Sequence, residues 1–236
     1  MPNGTLYLVP TPIGNLEDIT FRALRILKSV DSIICEDTRQ TVKLLNHFEI
    51  KKPLISFYTY NQPRRIPEII RDLAAGKNFA LVSDSGMPGI SDPGCLLVDE
   101  ALKQNIQVSP LPGPNAALTA LIASGLPTHS FIFLGFLKKK SGKIKKELAK
   151  AVESGCTVIF YESPYRVRKT LALCAEIFPA NTRVVLAREL TKVYEEFTRG
   201  TLEEVNIKLK EKEPKGEYVV LLNNSEDECE DENEQV

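Results

Sequence analysis

The stretch TLYLVPTPIGNLEDIT (residues 5–20) holds one complete strand-to-helix transition. Its apolar run TLYLVP (5–10) has the length and composition of a buried strand. A proline-containing loop follows, and helical spacing runs from Thr20 to about Lys28. The same transition then recurs. VDSIICE (30–36) is strand-like before a helical segment from Thr38 to His47, and LISFY (54–58) precedes Arg64 to Ala75, where Ile66, Ile69, Ile70 and Leu73 fall at helical spacing. FALVSD (79–84) precedes a helix around Pro93 to Lys103, and IQVSP (106–110) ends the series. Five strand-like runs separated by helices predict an α/β fold on a doubly wound, mostly parallel sheet, with ligands at the carboxyl ends of its strands.

PLPGPNAALTALIASGLP (110–127) is a junction: prolines and a glycine fix a turn, and Asn115 is placed to cap the apolar helix behind it. Beyond it, FIFLGF (131–136), CTVIFYE (156–162), RVVLARE (183–189), VYEEFTRGT (193–201) and EYVVLL (217–222) are strand-like. Helical stretches fall at about 141–154, 164–177 and 201–210. VVLARELTKVYEEFTRGT has the form of a hairpin, so the second half is expected to be an α+β domain on a mixed sheet. The division is 1–115 for the α/β domain, 116–223 for the α+β domain, and 224–236 for an acidic tail expected to be disordered.

The 236 residues are 43% hydrophobic and 26% charged, an ordinary globular composition. A chain this long buries roughly 70–75% of its unfolded surface, enough for a sizeable core. There is no apolar run of about 18 residues, and MPNGTLYLVPTPIG lacks the basic and apolar regions of a signal peptide. The expectation is a cytoplasmic protein with no membrane contact. Cys35, Cys95, Cys156, Cys174 and Cys229 show no CxxC spacing, and His47 and His129 stand far apart, so free thiols and no metal site are expected. The 30 basic and 31 acidic residues are unevenly spread. Residues 1–115 hold 12 of each sign, 116–223 hold 18 basic and 12 acidic, and 224–236 hold seven acidic and no basic residue. The positive excess lies wholly in the second domain, which points to a polyanionic partner there.

Three loops fall where strands end. VPTPIGNLEDIT (9–20) contains a Pro-x-Pro-Ile-Gly turn, with only Gly14 present, and no GxGxxG or GxxxxGK[ST] occurs. A phosphate cradle is disfavoured; a tight βα turn and a ligand loop both remain. SDSGMPGISDPG (83–94) packs three glycines and two prolines into twelve residues, a composition suited to close approach of a ligand. Asp84 reads as a ligand contact, while Asp92 before Pro93 reads as a helix N-cap; metal ligation is the alternative for both. PLPGPNA (110–116) is the third. On one sheet edge the three loops are expected to build a single pocket roofed by the second domain.

Seven segments in order, VPTPIGNLEDIT, EDTR (36–39), SDSGMPGISDPG, PLPGPNA, FLGFL (133–137), ESPYR (162–166) and ARELTKVYEE (187–196), resemble the bacterial small-subunit ribosomal RNA methyltransferases. Those belong to the tetrapyrrole-methylase-like superfamily, the class III S-adenosylmethionine-dependent methyltransferases. The resemblance runs from about Leu6 to Leu222. It implies a two-domain fold with S-adenosyl-L-methionine in the cleft between domains, and a homodimer. It also implies methyl transfer to the ribose 2′-hydroxyl of a cytidine in the decoding region of 16S rRNA, within the small ribosomal subunit. Matched position by position, Pro12, Gly14, Asn15, Asp84, Gly86, Met87, Ile90, Gly113, Asn115 and Ala116 would line the cofactor pocket, with Tyr161 and Ala187 closing from the second domain. The family commonly has proline after FLGFL and histidine within ESPxR; Lys138 and Tyr165 stand there, so no histidine base exists at 165. A tetrapyrrole methylase of the same fold and a non-catalytic RNA-binding assembly factor are the competing readings.

Methyl transfer from a sulfonium is an in-line displacement whose thioether leaving group needs no proton. Alignment supplies up to ~7–11 kcal/mol, and a general base on the 2′-hydroxyl adds ~10²–10⁴-fold. Candidate groups are Glu36, Asp37 and Arg39 of EDTR, Glu162, Arg188, Glu189 and Lys192; a carboxylate or a lysine of depressed pKa each suits the base. The expectation places Glu189 and Lys192 nearest the acceptor, with Arg39 and Arg166 on phosphate, against the alternative of interdomain salt bridges. KKKSGKIKKELAK (138–150) holds seven lysines and one glutamate. This basic, flexible segment suits RNA phosphate contact through Lys138, Lys139, Lys140 and Lys143, joined by Arg166 and Arg168, against the alternative of a solvated loop.

Overall fold

The computed structural model describes residues 2–211 and 213–224. From residue 225 onward the expected disordered tail lies outside the described residues. The chain divides after Asn115 into two compact units.

In the first unit β1 (Thr5–Val9), α1 (Phe21–Ser29), β2 (Ser32–Cys35), α2 (Thr38–His47), β3 (Leu54–Ser56), α3 (Gln62–Ala74), β4 (Phe79–Val82), α4 (Cys95–Lys103) and β5 (Gln107–Pro110) alternate along the chain. The strands form one sheet in the order β3-β2-β4-β1-β5, every pair parallel. Side chains alternate between its faces. Leu6, Ile34, Phe79 and Leu81 cluster with Ile69 and Leu73 of α3 and Leu97 and Ala101 of α4. Val9, Ile33, Cys35, Ala80 and Val82 cluster with Ala23, Ile26 and Leu27 of α1 and Leu45 of α2. Burial on both faces explains why these strands read as continuous apolar runs. The chain leaves β1 toward β2, across β4, and leaves β4 toward β5, across β1. These opposite departures make the β1–β4 boundary the switch point, where a crevice opens at the carboxyl edge.

Two local expectations are corrected. β3 stops at Ser56 instead of running to Tyr58, because the Asn61 side chain donates to the Ser56 carbonyl at 3.0 Å and accepts from the Tyr58 N–H at 2.8 Å. Asp92 is not an N-cap: α4 starts at Cys95 with Gly94 in the cap position, and the Asp92 carboxylate accepts a hydrogen bond from Ser83 instead.

The second unit contains α5 (Ala116–Ile122), β6 (Phe131–Phe136), α6 (Ser141–Val152), β7 (Thr157–Glu162), α7 (Val167–Cys174), β8 (Arg183–Arg188), β9 (Glu196–Thr201), α8 (Leu202–Glu211) and β10 (Tyr218–Asn223). Its sheet order is β6-β7-β10-β8-β9; β6 and β7 run parallel and the other pairs antiparallel, with β8 and β9 as the expected hairpin. Ile144 and Leu148 of α6, Val167 and Leu171 of α7, and Leu202 and Val205 of α8 bury against Val158, Phe160, Val184, Leu186, Val220 and Leu222. α5 packs on β7 and β10. The lysine-rich segment is thus not a flexible loop beyond Lys140: its apolar positions anchor an amphipathic helix, leaving Lys138, Lys139 and Lys140 exposed ahead of it. No helix among the described residues is long and apolar enough to cross a membrane.

Candidate functional site

In the first unit the parallel sheet delivers all its strand exits to one edge. There Thr11 and Gly86 exchange two backbone hydrogen bonds, each 3.0 Å, tying the loop after β1 to the loop after β4 across the switch point. The Thr11 hydroxyl also donates to the Ser83 carbonyl at 2.9 Å. Gly86 has φ 81°, and a Cβ there would lie 3.3 Å from Ile13 and 3.4 Å from the Pro114 carbonyl, so three loops converge on it. A Cβ on Gly113 would lie 2.7 Å from the Pro10 ring, which brings the loop after β5 equally close. Beside this junction a cavity of about 200 Å³ is lined by Thr11, Pro12, Leu16, Gln40, Thr41, Lys43, Leu44, Ser83 and Asp84.

The edge is acidic. The Ser83 hydroxyl donates to Asp92 at 2.5 Å and accepts from the Ser85 N–H at 3.1 Å. Asp84 accepts from the Asp37 N–H at 3.3 Å. Burial, with the charges of Asp92, Asp84 and Asp37 behind it, raises the Glu36 pKa. Burial likewise raises Asp84 and Asp92, helped in Asp84 by the charge of Asp37 and in Asp92 by that of Asp84. Asp37 goes the other way: its bidentate pair with Arg39 (2.7 and 3.0 Å) holds it at about 2. It also caps α2 through the Arg39 N–H at 2.9 Å. Arg39, expected on phosphate, is therefore engaged by its own helix cap.

In the second unit Lys192 donates to Glu189 at 2.9 Å and to Glu217 at 2.8 Å, and Glu189 accepts from the Glu217 N–H at 2.9 Å. Burial opposes the charge on Lys192, but the hydrogen bonds it donates to Glu217 and Glu189 outweigh it and raise its pKa. Burial also works against Glu189, yet Lys192 and the Glu217 N–H lower its pKa. The shift runs opposite to the depressed pKa that a lysine base at 192 calls for. The cluster is an ion pair within one unit, bracing the turn between β8 and β9. Glu162, another candidate base, has a side chain only 1% exposed and is fully partnered: Thr170 donates to it at 2.6 Å, the Ser163 N–H at 2.8 Å, and Arg166 pairs with it at 3.4 Å. Arg166 also donates to the Leu137 and Lys138 carbonyls. These contacts give Arg166 a structural role, since leaving Glu162 would strand a buried carboxyl.

Among the expected cofactor residues, the first unit gathers Pro12, Asp84, Gly86 and Gly113 at the loop junction. Asn15 caps the short 3₁₀ turn Leu16–Asp18 through the Glu17 N–H, and Gly14 and Ile90 are exposed. Met87 accepts the Ile90 N–H. Asn115 ends the first unit and Ala116 opens α5 of the second. Tyr161 stands edge-on to Phe133 and Phe136 at 4.9 and 5.4 Å, and Ala187 is buried within β8 opposite Val219. Lys143 is exposed on α6, and the Arg168 Nε donates to the Leu209 carbonyl. Ser83, Thr41 and Glu217 were missed by sequence reasoning. Ser83 carried a usable signal, a hydroxyl immediately after a strand's carboxyl end; Thr41, within α2, carried a weaker one, and Glu217 carried none, since its partner lies 25 residues away.

The family model of Tetrapyrrole (Corrin/Porphyrin) Methylases matches residues 5–206. The chain is 53% identical over 219 residues to a Ribosomal RNA small subunit methyltransferase I of Halalkalibacterium halodurans, covering 93% of this chain and 75% of that protein. It is 50% identical over 232 residues to the protein of that name in Bacillus subtilis, covering 98% and 79%. A solved diphthine synthase superposes with TM-score 0.74 at 13% identity, over 93% of this chain and 90% of that one. A uroporphyrin-III-C-methyltransferase from Thermus thermophilus superposes with TM-score 0.62 at 21% identity, over 92% and 94%. These two likenesses carry the fold alone: a tetrapyrrole-methylase-like α/β architecture. By the family match and the identity to curated relatives, the chain belongs to the tetrapyrrole methylase family, in the branch of the ribosomal RNA small subunit methyltransferase I proteins.

Proposed function

We propose that this chain transfers a methyl group from S-adenosyl-L-methionine to the ribose 2′-hydroxyl of a cytidine in the decoding region of 16S rRNA, acting in the cytoplasm as a homodimer on the small ribosomal subunit. The convergence of the loops after β1, β4 and β5 at the switch point carries the reading, and the relatives' shared name supplies the RNA class. The residues fit the cofactor. Its sulfonium and ammonium are cations, and the edge offers the carboxyls of Glu36, Asp84 and Asp92, whose pKa values are raised by burial first and by neighbouring carboxylates second, so that a bound cation would favour their ionised forms. The 200 Å³ cavity is smaller than the ~300–1,000 Å³ that holds a drug-sized ligand, so it suits one end of an elongated molecule. Glycine at 86 and 113 lets backbone close on that molecule where a side chain would intrude.

When bound, the cofactor supplies an electrophilic methyl on a neutral leaving group. The chain's task is alignment, exclusion of water and acceptance of the hydroxyl proton. Lys192 stays cationic and suits stabilisation of the oxygen as it loses its proton, with Glu189 and Glu217 positioning it. The test is twofold: calorimetric titration with S-adenosyl-L-methionine, then mapping of 2′-O-methyl marks on 16S rRNA from cells with and without this protein. Cofactor binding with loss of one cytidine mark on deletion is expected; an unchanged methylation map overturns the assignment.

A further inference from the structure

One end of the second sheet is built unlike the rest of the surface. Register aligns Glu162 of β7 with Tyr218 of β10, Tyr218 with Arg188 of β8, and Arg188 with Glu196 of β9, while Phe136 of β6 lies beside Tyr161. The connections leaving these positions therefore emerge together, spaced by ~4.8 Å per strand. Two of them carry large apolar side chains into solvent, Tyr165 at 96% exposed and Val193 and Tyr194 at 94% and 71%, and Phe136 at the end of β6 is 57% exposed. Single exposed apolar residues are ordinary, but such a group on one edge marks an interaction surface.

Both turns that present the tyrosines are braced. Tyr165 follows Glu162 and precedes Arg166, the buried pair locked by Thr170 and the Ser163 N–H. Tyr194 follows Lys192, held by Glu189 and Glu217, and the Thr191 N–H donates to Glu195 at 2.7 Å across the same turn. The rings are thus displayed on stiff backbone, which lowers the entropy lost on binding. Three acidic groups of this end are ion-paired, Glu196 with Arg188 and Glu189 and Glu217 with Lys192, while Glu195 accepts the Thr191 N–H. Lys138, Lys139 and Lys140, which follow β6, are exposed and make no ion pair among the described residues. Exposed aromatics and unpaired cations at one end of the same sheet, the lysines beside β6 and the rings after β7 and β8, match the recognition chemistry of single-stranded nucleic acid, where bases stack on rings and phosphates meet ammonium groups. A two-fold contact between copies centred here would instead set this lysine cluster against itself.

Resting on the RNA substrate proposed above, we propose that this end of the second sheet is a stacking platform for unpaired nucleotides, with Tyr165 and Tyr194 taking base faces and Lys138, Lys139 and Lys140 the adjoining phosphates. The platform makes an unpaired segment, not a duplex, the form of RNA that is bound.

The probe is a fluorescently labelled single-stranded RNA oligonucleotide of decoding-region sequence, compared with its fully paired duplex, using the full chain. Wild type is expected to favour the single strand. Tyr165→Ala and Tyr194→Ala should each weaken single-strand binding about 5- to 100-fold with little change in salt slope. Tyr→Phe at either position should restore binding and Tyr→Leu should not, separating stacking from general apolar contact. Replacing Lys138, Lys139 and Lys140 by Gln should lower the salt slope by about 2. Cofactor affinity should stay at the wild-type value in all of them. If wild type binds and methylates small subunits but the alanine variants bind RNA normally, the platform is overturned while the RNA reading stands. If wild type binds no RNA, both fall. Loss of self-association in sedimentation with RNA binding intact assigns the surface to a second copy and overturns the platform.

Discussion

The Ser83 hydroxyl donates to the Asp92 carboxylate at 2.5 Å, pinning the far end of the glycine-rich loop to the strand exit it started from. Because Asp92 is partly buried, removing the donor leaves a charged oxygen short of a partner. Ser83→Ala is expected to lower unfolding free energy by about 1–3 kcal/mol. The measurement is a denaturant midpoint that drops at unchanged slope. An unshifted midpoint means that Asp92 finds water without cost.

Gly86 sits at φ 81° in contact distance of Ile13 and Pro114. Gly86→Ala should cost about 1–2 kcal/mol from the left-handed backbone alone. Gly113→Ala meets the rigid Pro10 ring at 2.7 Å, so the backbone must move. Both variants should weaken S-adenosyl-L-methionine binding in calorimetry by more than they lower stability; wild-type affinity in both would remove the loop junction from the cofactor site.

The acidic edge sets a pH dependence whose sign differs between residues. Glu36, Asp84 and Asp92 have raised folded-state pKa values, so their contribution to stability is full below the ordinary carboxylate range and is lost as pH rises through the raised values. Asp37, held at about 2, contributes above the ordinary range and loses that contribution as pH falls toward about 2. A cationic cofactor favours the ionised edge, so binding near pH ~5 should release protons and binding near pH ~8 should not. Titration in buffers of differing ionisation enthalpy reads this directly, and equal proton release at both pH values would contradict it.

Arg166 is tied to a carboxylate that water does not reach. Arg166→Ala should therefore destabilise the fold by about 3–5 kcal/mol, in contrast to the exposed lysines at 138–140, whose removal should act on RNA binding alone. Thermal unfolding beside an RNA salt titration separates the two. A stable Arg166→Ala protein with a reduced salt slope would return Arg166 to the RNA surface.

Lys192 has its pKa raised between two glutamates, so the single-turnover methylation rate should show no rising limb from lysine deprotonation through neutral pH. Lys192→Gln should slow methyl transfer by about 10²–10³-fold, and Glu189→Gln by less, as befits a positioning residue. Near-wild-type rates in both would remove the pair from the chemistry.

Local patterns carried the architecture. The alternation of TLYLVP, VDSIICE and FALVSD with helical runs depends only on which side chains must be apolar for a strand covered on both faces, so the parallel sheet and the three loops at its edge were legible in the sequence itself. So was the hairpin in VVLARELTKVYEEFTRGT. Asp92 shows where legibility ended: an Asp-Pro pair is a cap by local rule, yet the fold brought Ser83 within reach and the helix began at Cys95 with Gly94 in the cap position instead. Arg166 and Lys192 were read for their charges, while the burial of Glu162 and the reach of Glu217 were not visible along the chain. Glu217 reaches Lys192 only after strands separate in sequence are laid side by side, whereas Glu162 lies four residues before Arg166 and what the fold added is its burial. The charge split between halves was written in the chain. Which of those charges are already neutralised, and which remain exposed without an ion pair among the described residues, at Lys138, Lys139 and Lys140, was decided by tertiary structure, because an ion pair depends on distance in space and burial, neither of which is a property of spacing along the chain.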